Sequence, residues 1–185
     1  MHAHRAAQFG ARLGWEVVVD GGEERDQYDG GAALYCVLTR GGRHEGSMRF
    51  LPTTGRTMTE EHFAALYPGA PIRDPQIWEC TRFVIAPGAP PGAAAALMLG
   101  GLELGLAAGL AGSIGVYGRA MERVYARLGW PPETLGAGVD LRLGLWRYDA
   151  ALRRPLAERA GMTARAARHG LRMDAPAGGG LPAAL

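Results

Sequence analysis

The sequence predicts a three-layer α/β sandwich built around a mixed, twisted sheet. Three observations predict it. The chain has 185 residues, 48% of them hydrophobic, which is enough for one domain with a sizeable core. Its first half holds two short strand-like runs on either side of Gly41-Gly42, the pattern of a hairpin. Its second half reads strand, helix, strand, helix and strands, which sets helices against a sheet.

Residues 4–13 read as a short helix, with Arg5 and Phe9 on one face and Gly14 as its stop. Residues 15–19 are apolar and β-branched, hence extended, and a polar, acid-rich loop covers 21–30. Residues 33–39 and 46–51 form the hairpin. Thr59 reads as the cap of a helix running to Tyr67, with Glu60 and Glu61 in its first turn. Prolines 68, 71 and 75 mark a loop before the strand 77–85. A long helix over 91–112, a strand over 113–117 and an amphipathic helix over 119–128 follow, the last stopped by Gly129-Trp130-Pro131-Pro132. Strands over 133–136 and 141–148 and a helix over 151–160 complete the pattern. Residues 1–174 form the single domain, and 175–185 read as a disordered tail.

Composition narrows the function. All 20 basic residues are Arg and none is Lys, which excludes a Lys Schiff base or Lys nucleophile. Cys36 and Cys80 fall inside strands and read as small buried hydrophobes of a cytoplasmic protein. The five His, at 2, 4, 44, 62 and 169, make no HExxH or His/Cys pattern, so no metal is expected. The first residues lack the apolar core of a signal peptide. The apolar run 93–111 carries Glu103 and scattered Gly, and reads as a buried helix rather than a membrane span. Between Arg119 and Arg172 eleven Arg face five acids, an excess of six positive charges that suits an acidic partner. No groove-reading basic motif points to nucleic acid.

The strand 77–85 is the unusual stretch, because Glu79 and Arg82 interrupt its apolar run. Buried charges are costly unless paired. Alternation puts Ile77, Glu79, Thr81 and Phe83 on one face and Trp78, Cys80 and Arg82 on the other. Either a bulge brings Glu79 and Arg82 together, or each has its own partner. The acids Asp26 and Asp29 are candidate partners for Arg82, and Arg5 and Arg49 would complete a charged cluster. A buried carboxylate against an apolar wall makes Glu79 the candidate general base.

Taken in order, these residues resemble the LuxI-type acyl-homoserine-lactone synthases of bacterial quorum sensing. The matching string is Arg5, Phe9, Trp15, Asp26, Asp29, then Arg49-Phe50-Leu51-Pro52-Thr53-Thr54-Gly55, Phe63, Trp78-Glu79 and Arg82-Phe83. Leu128-Gly129-Trp130 also fits, so the match runs over residues 5–148. The resemblance implies an acetyltransferase-like (GNAT-like) fold. It also implies joining of S-adenosylmethionine (SAM), as substrate and not cofactor, to an acyl group on acyl carrier protein or coenzyme A. The products would be N-acyl-homoserine lactone and 5'-methylthioadenosine. It assigns Arg5, Asp26, Asp29, Arg49, Glu79 and Arg82 to the family's charged cluster and Phe9 and Trp15 to the cover of SAM. Relatives carry a strand and a fuller helix ahead of the position of Arg5, so the N-terminus reads as shortened.

The expected chemistry is removal of an amine proton by Glu79, with backbone N–H groups near Phe83 and Ser113 facing the oxyanion. Leu97, Met98, Leu102, Ile114, Val116 and Leu145 are candidates for the acyl tunnel, with Gly115 leaving room. Two other readings compete. An acetyl-CoA-type N-acyltransferase on another amine lacks its Gly-rich pyrophosphate loop here. A non-catalytic relative that binds SAM or an acyl chain is the second.

Overall fold

The computed structural model describes residues 1–162; the tail at 175–185 and the basic residues beyond Arg159 lie outside the described residues. Six strands form one sheet: β3 (Leu34–Arg40), β4 (Arg43–Pro52), β5 (Ile77–Ile85), β6 (Gly112–Gly118), β7 (Glu133–Ala137) and β8 (Leu141–Arg147). Their spatial order is β3-β4-β5-β6-β8-β7. All neighbours are antiparallel except β5 and β6, which the crossover through helix α3 (Ala93–Ala107) makes parallel. Two short strands, β1 (Val19–Asp20) and β2 (Glu23–Glu24), pair outside this sheet.

One face of the sheet is covered by α3, α4 (Glu122–Leu128) and α5 (Arg153–Arg159). Met48, Phe50 and Trp78 pack there on Leu97 and Leu104. Tyr117 and Trp146 pack on Met98, Leu102, Tyr125 and Leu156. Each such buried side chain contributes about 1.5–3 kcal/mol. Helix α3 is apolar nearly all round because it lies between the sheet and α5. Its glycines permit that closeness: a Cβ at Gly101 would overlap Met48, and one at Gly105 would overlap Tyr148. Its one acid, Glu103, takes a forked pair from Arg153 at 2.8 and 3.0 Å.

The opposite face carries α1 (His2–Arg5), its π-helical continuation Ala6–Arg12, the loop to Ala33, α2 (Met58–His62) and a 3-10 turn, Ala64–Leu66. Beneath them lie Tyr28, Ala33 and Leu51 in one patch and Ile114, Leu143 and Leu145 in another.

The central strand spans the predicted residues. Other boundaries differ for local reasons. The long helix starts at Ala93, since Pro90 and Pro91 precede it and Gly92 sits at φ 91°. It ends at Ala107, where Gly109 turns left-handed at φ 67°. The predicted helix from Thr59 to Tyr67 is shorter and capped two residues earlier: Thr57 accepts the Glu60 N–H, and Thr59 is helical. The first helix widens into π-geometry, with Leu13 N–H reaching back to Gln8 at 3.0 Å.

Candidate active site

The site begins with a break in β5. Ser47 pairs with Val84 and Arg49 with Thr81, so Arg82 and Phe83 together oppose Met48. This bulge holds Arg82 at φ 54°, a conformation rare outside glycine. It also shifts the phase of the alternation. Arg82 joins Glu79 and Thr81 on the face opposite α3, while Phe83 moves to the helical face among Trp78, Cys80 and Ile85. The sequence alternation put these two residues the other way round, and the extra residue is the cause. The alternative in which a bulge unites Glu79 and Arg82 is the one observed.

Three arginines and three acids then close a ring. Arg5 donates to Glu24 and, at 2.7 and 2.8 Å, to both oxygens of Asp29. Arg49 donates to Asp29 at 2.8 Å and to both oxygens of Asp26. Arg82 meets Asp26 at 2.8 Å and Glu24 at 2.9 Å. Each acid thus lies between two guanidinium groups. Arg5, Arg49 and Glu24 are fully buried, and the net charge of the six is zero. A ring of this kind satisfies the fork of each Arg and the lone pairs of each acid, which makes its burial tolerable.

Local turns aim the acids. Asp26 accepts the Tyr28 N–H at 2.9 Å, and Asp29 accepts the Asp26 N–H at 2.8 Å. Burial alone would raise the Asp29 carboxyl, but Arg5, Tyr35 and the Asp26 N–H hold it well below the usual carboxylate range. Burial works against the charged form of Arg5 and Arg49, and their acid partners raise both regardless. Burial and the contact with Asp29 push the Tyr35 hydroxyl up to about 12.

Aromatic rings cover the ring of charges. The Arg82 guanidinium lies 5.2 Å from the centre of the Phe9 ring. Trp15 stacks on Phe9 at 5.2 Å and remains 46% exposed.

Glu79 stands next to this ring, 1% exposed. Its neighbours across the sheet are Leu51 on β4 and Ile114 on β6. Its carboxylate accepts the Met58 N–H at 2.9 Å and the Thr59 N–H at 2.6 Å. The first three amides of α2 are therefore satisfied, two by Glu79 and the third by Thr57. Burial raises the Glu79 carboxyl, partly offset by the Thr59 hydroxyl, by these amides and by Arg49. The parallel ladder of β5 and β6 ends at Glu79 and Ile114, beyond which no register joins them. Glu79 thus sits at the point where two central strands part.

The remaining expected residues divide. Phe63 caps the C-terminal end of α2, half-buried beside His62. Ser113 lies within the paired part of the sheet, between Trp78 and Trp146, so the opening begins beyond it. The acyl-tunnel residues do not line one space. Ile114, Val116 and Leu145 gather on the face shared with Glu79, with Leu66, Tyr67 and Ile72. Leu97, Met98 and Leu102 lie on α3 behind the sheet. The parity of β6 and β8 separates them. Gly115 also faces the helices, 3.4 Å from the Trp146 ring if given a Cβ. Glu24, Tyr35, Thr81 and Met58 were not singled out from sequence; Glu24 takes the place in the ring that the expected cluster gave to Glu79.

Burial pushes the Cys36 and Cys80 thiols up to about 12, which disfavours the thiolate. Among the described residues no group of three or more His, Cys, Asp or Glu could hold a metal, and no helix is long and apolar enough to cross a membrane.

Comparison with known proteins shows what the chain is similar to. The family model for autoinducer synthases matches residues 1–143. An acyl-homoserine-lactone synthase of Rhizobium etli is 39% identical over 162 residues, covering 81% of this chain and 76% of that protein. The structure of MesI, a CoA-dependent acyl-homoserine lactone synthase, overlays with a TM-score of 0.78 at 26% identity, over 88% of this chain and 86% of that one. That of BjaI, with SAM and isopentyl-CoA, overlays at 0.80 with 24% identity over 95% and 84%, a likeness of fold.

Proposed function

The chain belongs to the autoinducer synthase family, and we infer that the Arg/acid ring and the neighbouring Glu79 are its catalytic apparatus. It is an acyl-homoserine-lactone synthase with an acetyltransferase-like fold. It joins SAM to an acyl thioester and releases 5'-methylthioadenosine. The observation that carries the site assignment is the placement of one buried carboxylate, Glu79, at the parting of β5 and β6 beside a charge-neutral ring.

The ring fixes the N-terminal helix and the loop of Asp26 and Asp29 against the sheet, so that Phe9 and Trp15 form a wall over the site. An aromatic wall suits the sulfonium of SAM by cation–π attraction. The SAM amine, as an α-amino group, has a pKa of about 8, so a modest base suffices to free it. Glu79 takes that proton, directly or through one water. The amine nitrogen attacks the thioester carbon, the C–S bond breaks with its electron pair going to sulfur, and the nitrogen's second proton passes to the departing thiolate, which leaves as the free thiol. Backbone N–H groups on the edge of β5 beyond Glu79 face the oxyanion. The methionine carboxylate then attacks its own γ-carbon. The sulfur leaves with the bonding pair as neutral methylthioadenosine, a step that positioning alone accelerates.

Ile114, Val116 and Leu145, packed with Leu66, Tyr67 and Ile72 on the Glu79 face, are the wall for the acyl chain. Arg119, Arg123 and Arg127 are exposed at four-residue spacing along α4 and the turn before it. That stripe meets an anionic donor, the phosphates of coenzyme A or an acidic carrier protein. Mixing purified protein, SAM and a panel of acyl thioesters on both carriers, then searching for lactone by mass spectrometry, tests the function and identifies the donor. Methylthioadenosine without lactone would contradict it.

A further inference from the structure

Glu79 is held by groups that only donate. Its oxygens take the amides of Thr59 and Met58, and Arg49 is the cation facing it from β4. All three favour the ionised acid. A base that accepts a proton must place a new O–H, and neither an amide N–H nor a guanidinium accepts one. Other groups around it offer no acceptor. Leu51 and Ile114 are apolar, and the Cys80 thiol contacts Met48 on the far side of the sheet. On α2, Glu60 and Glu61 turn outward to Arg73 and Arg56, and His62 faces Tyr28.

One group remains. Thr59 is 7% exposed, and its backbone N–H meets the Glu79 carboxylate at 2.6 Å. Its hydroxyl lies close enough to that carboxylate to favour the ionised form, yet it makes no well-formed hydrogen bond among the described residues. It is not the helix cap, a task Thr57 performs. A threonine hydroxyl can donate to a carboxylate and, after turning about its C–O bond, accept from a carboxylic acid. We propose that Thr59 is a positioning residue for the proton transfer, donating to the Glu79 carboxylate before reaction and accepting the O–H formed when Glu79 takes the amine proton. The N–H bond of the amine breaks, the O–H bond of Glu79 forms, and the Thr59 hydroxyl keeps its own proton throughout. The inference rests on Glu79 as the base.

Thr59→Val keeps the side-chain shape and removes only the hydroxyl; Thr59→Ser keeps the hydroxyl. With glutamate labelled at its side-chain carboxyl carbon, NMR titration reads Glu79 directly, and Glu79→Gln identifies its resonance. Thr59→Val should lower kcat roughly tenfold, since hydrogen bonds to charged groups are the strong ones. The KM for SAM should stay within twofold, and the Glu79 midpoint should rise by at least half a pH unit as the carboxylate loses a donor. Thr59→Ser should restore both; Thr59→Ala replaces Thr59→Val if valine impairs folding. An unchanged midpoint, or a moved midpoint with unchanged kcat, overturns the inference. Failure of the base assignment looks different: Glu79→Gln would then turn over like wild type, while the titration still reports the Thr59 contact.

Discussion

Replacing Glu24 by Gln opens the charged ring at its most buried acid. Glu24 is fully buried and receives Arg5 on one oxygen and Arg82, at 2.9 and 3.1 Å, on the other. Three guanidinium groups would then face two carboxylates, leaving one buried positive charge without compensation. Breaking a buried pair from one side costs about 3–5 kcal/mol. The amide oxygen of Gln still accepts one bond, while its NH2 confronts a donor, so the lower end, about 3 kcal/mol, applies. For a chain of this size each kcal/mol lowers Tm by about 2–4 °C. Thermal unfolding followed by circular dichroism at pH 7 should therefore show a fall of roughly 6–12 °C. Glu122, exposed and paired with Arg142 at 3.2 Å, is the control, and Glu122→Gln should move Tm by no more than about 1 °C. A Glu24→Gln melting point within about 2 °C of wild type would refute the ring as a closed, interdependent unit.

Thr57→Ala removes the cap of α2 and should cost about 1 kcal/mol, with Thr57→Ser restoring it in urea unfolding; equal midpoints for Ala and Ser would discount the cap. A pH effect arises at His44, whose ring lies 4.8 Å from that of His4. Burial, then the amino-terminal charge and His4, push its pKa down from 6.5 to about 4. The folded state therefore binds fewer protons than the unfolded state between those values. Its contribution to stability is complete above pH 6.5 and is lost as pH falls toward 4. His44→Gln should flatten the decline of the urea midpoint between pH 7.5 and 5, and an unaltered decline would contradict it.

Much of this could be read from sequence, and the misses have physical causes. The strand Ile77–Ile85 was legible because an unbroken apolar, β-rich run follows a Pro-marked loop. The face of Arg82 was not, because a bulge is decided by what opposes it: Met48 alone faces two residues, and ion pairs to Glu24 and Asp26 offset the left-handed backbone. Glu24 looked like one of several acids in a solvated turn. Only its pairing in β2 sends Glu23 outward and Glu24 inward. Thr57 and Thr59 are equally good caps by type; the buried Glu79 decides between them by taking the amides of Met58 and Thr59. The tunnel residues were chosen for being apolar, and hydrophobicity alone does not say which side of a sheet a side chain takes. Five of the six residues of the expected charged cluster meet in the ring, while Glu79 stands beside it and Glu24 completes it.

The most direct test of the account is the turnover of Glu79→Gln. The purified variant, supplied with SAM and the preferred acyl thioester, is assayed by mass spectrometry for lactone and methylthioadenosine together. Loss of a general base predicts that both fall at least roughly 100-fold, in equal amounts, with SAM binding by calorimetry kept within a few-fold. Lactone formation at the wild-type rate would remove Glu79 from the chemistry.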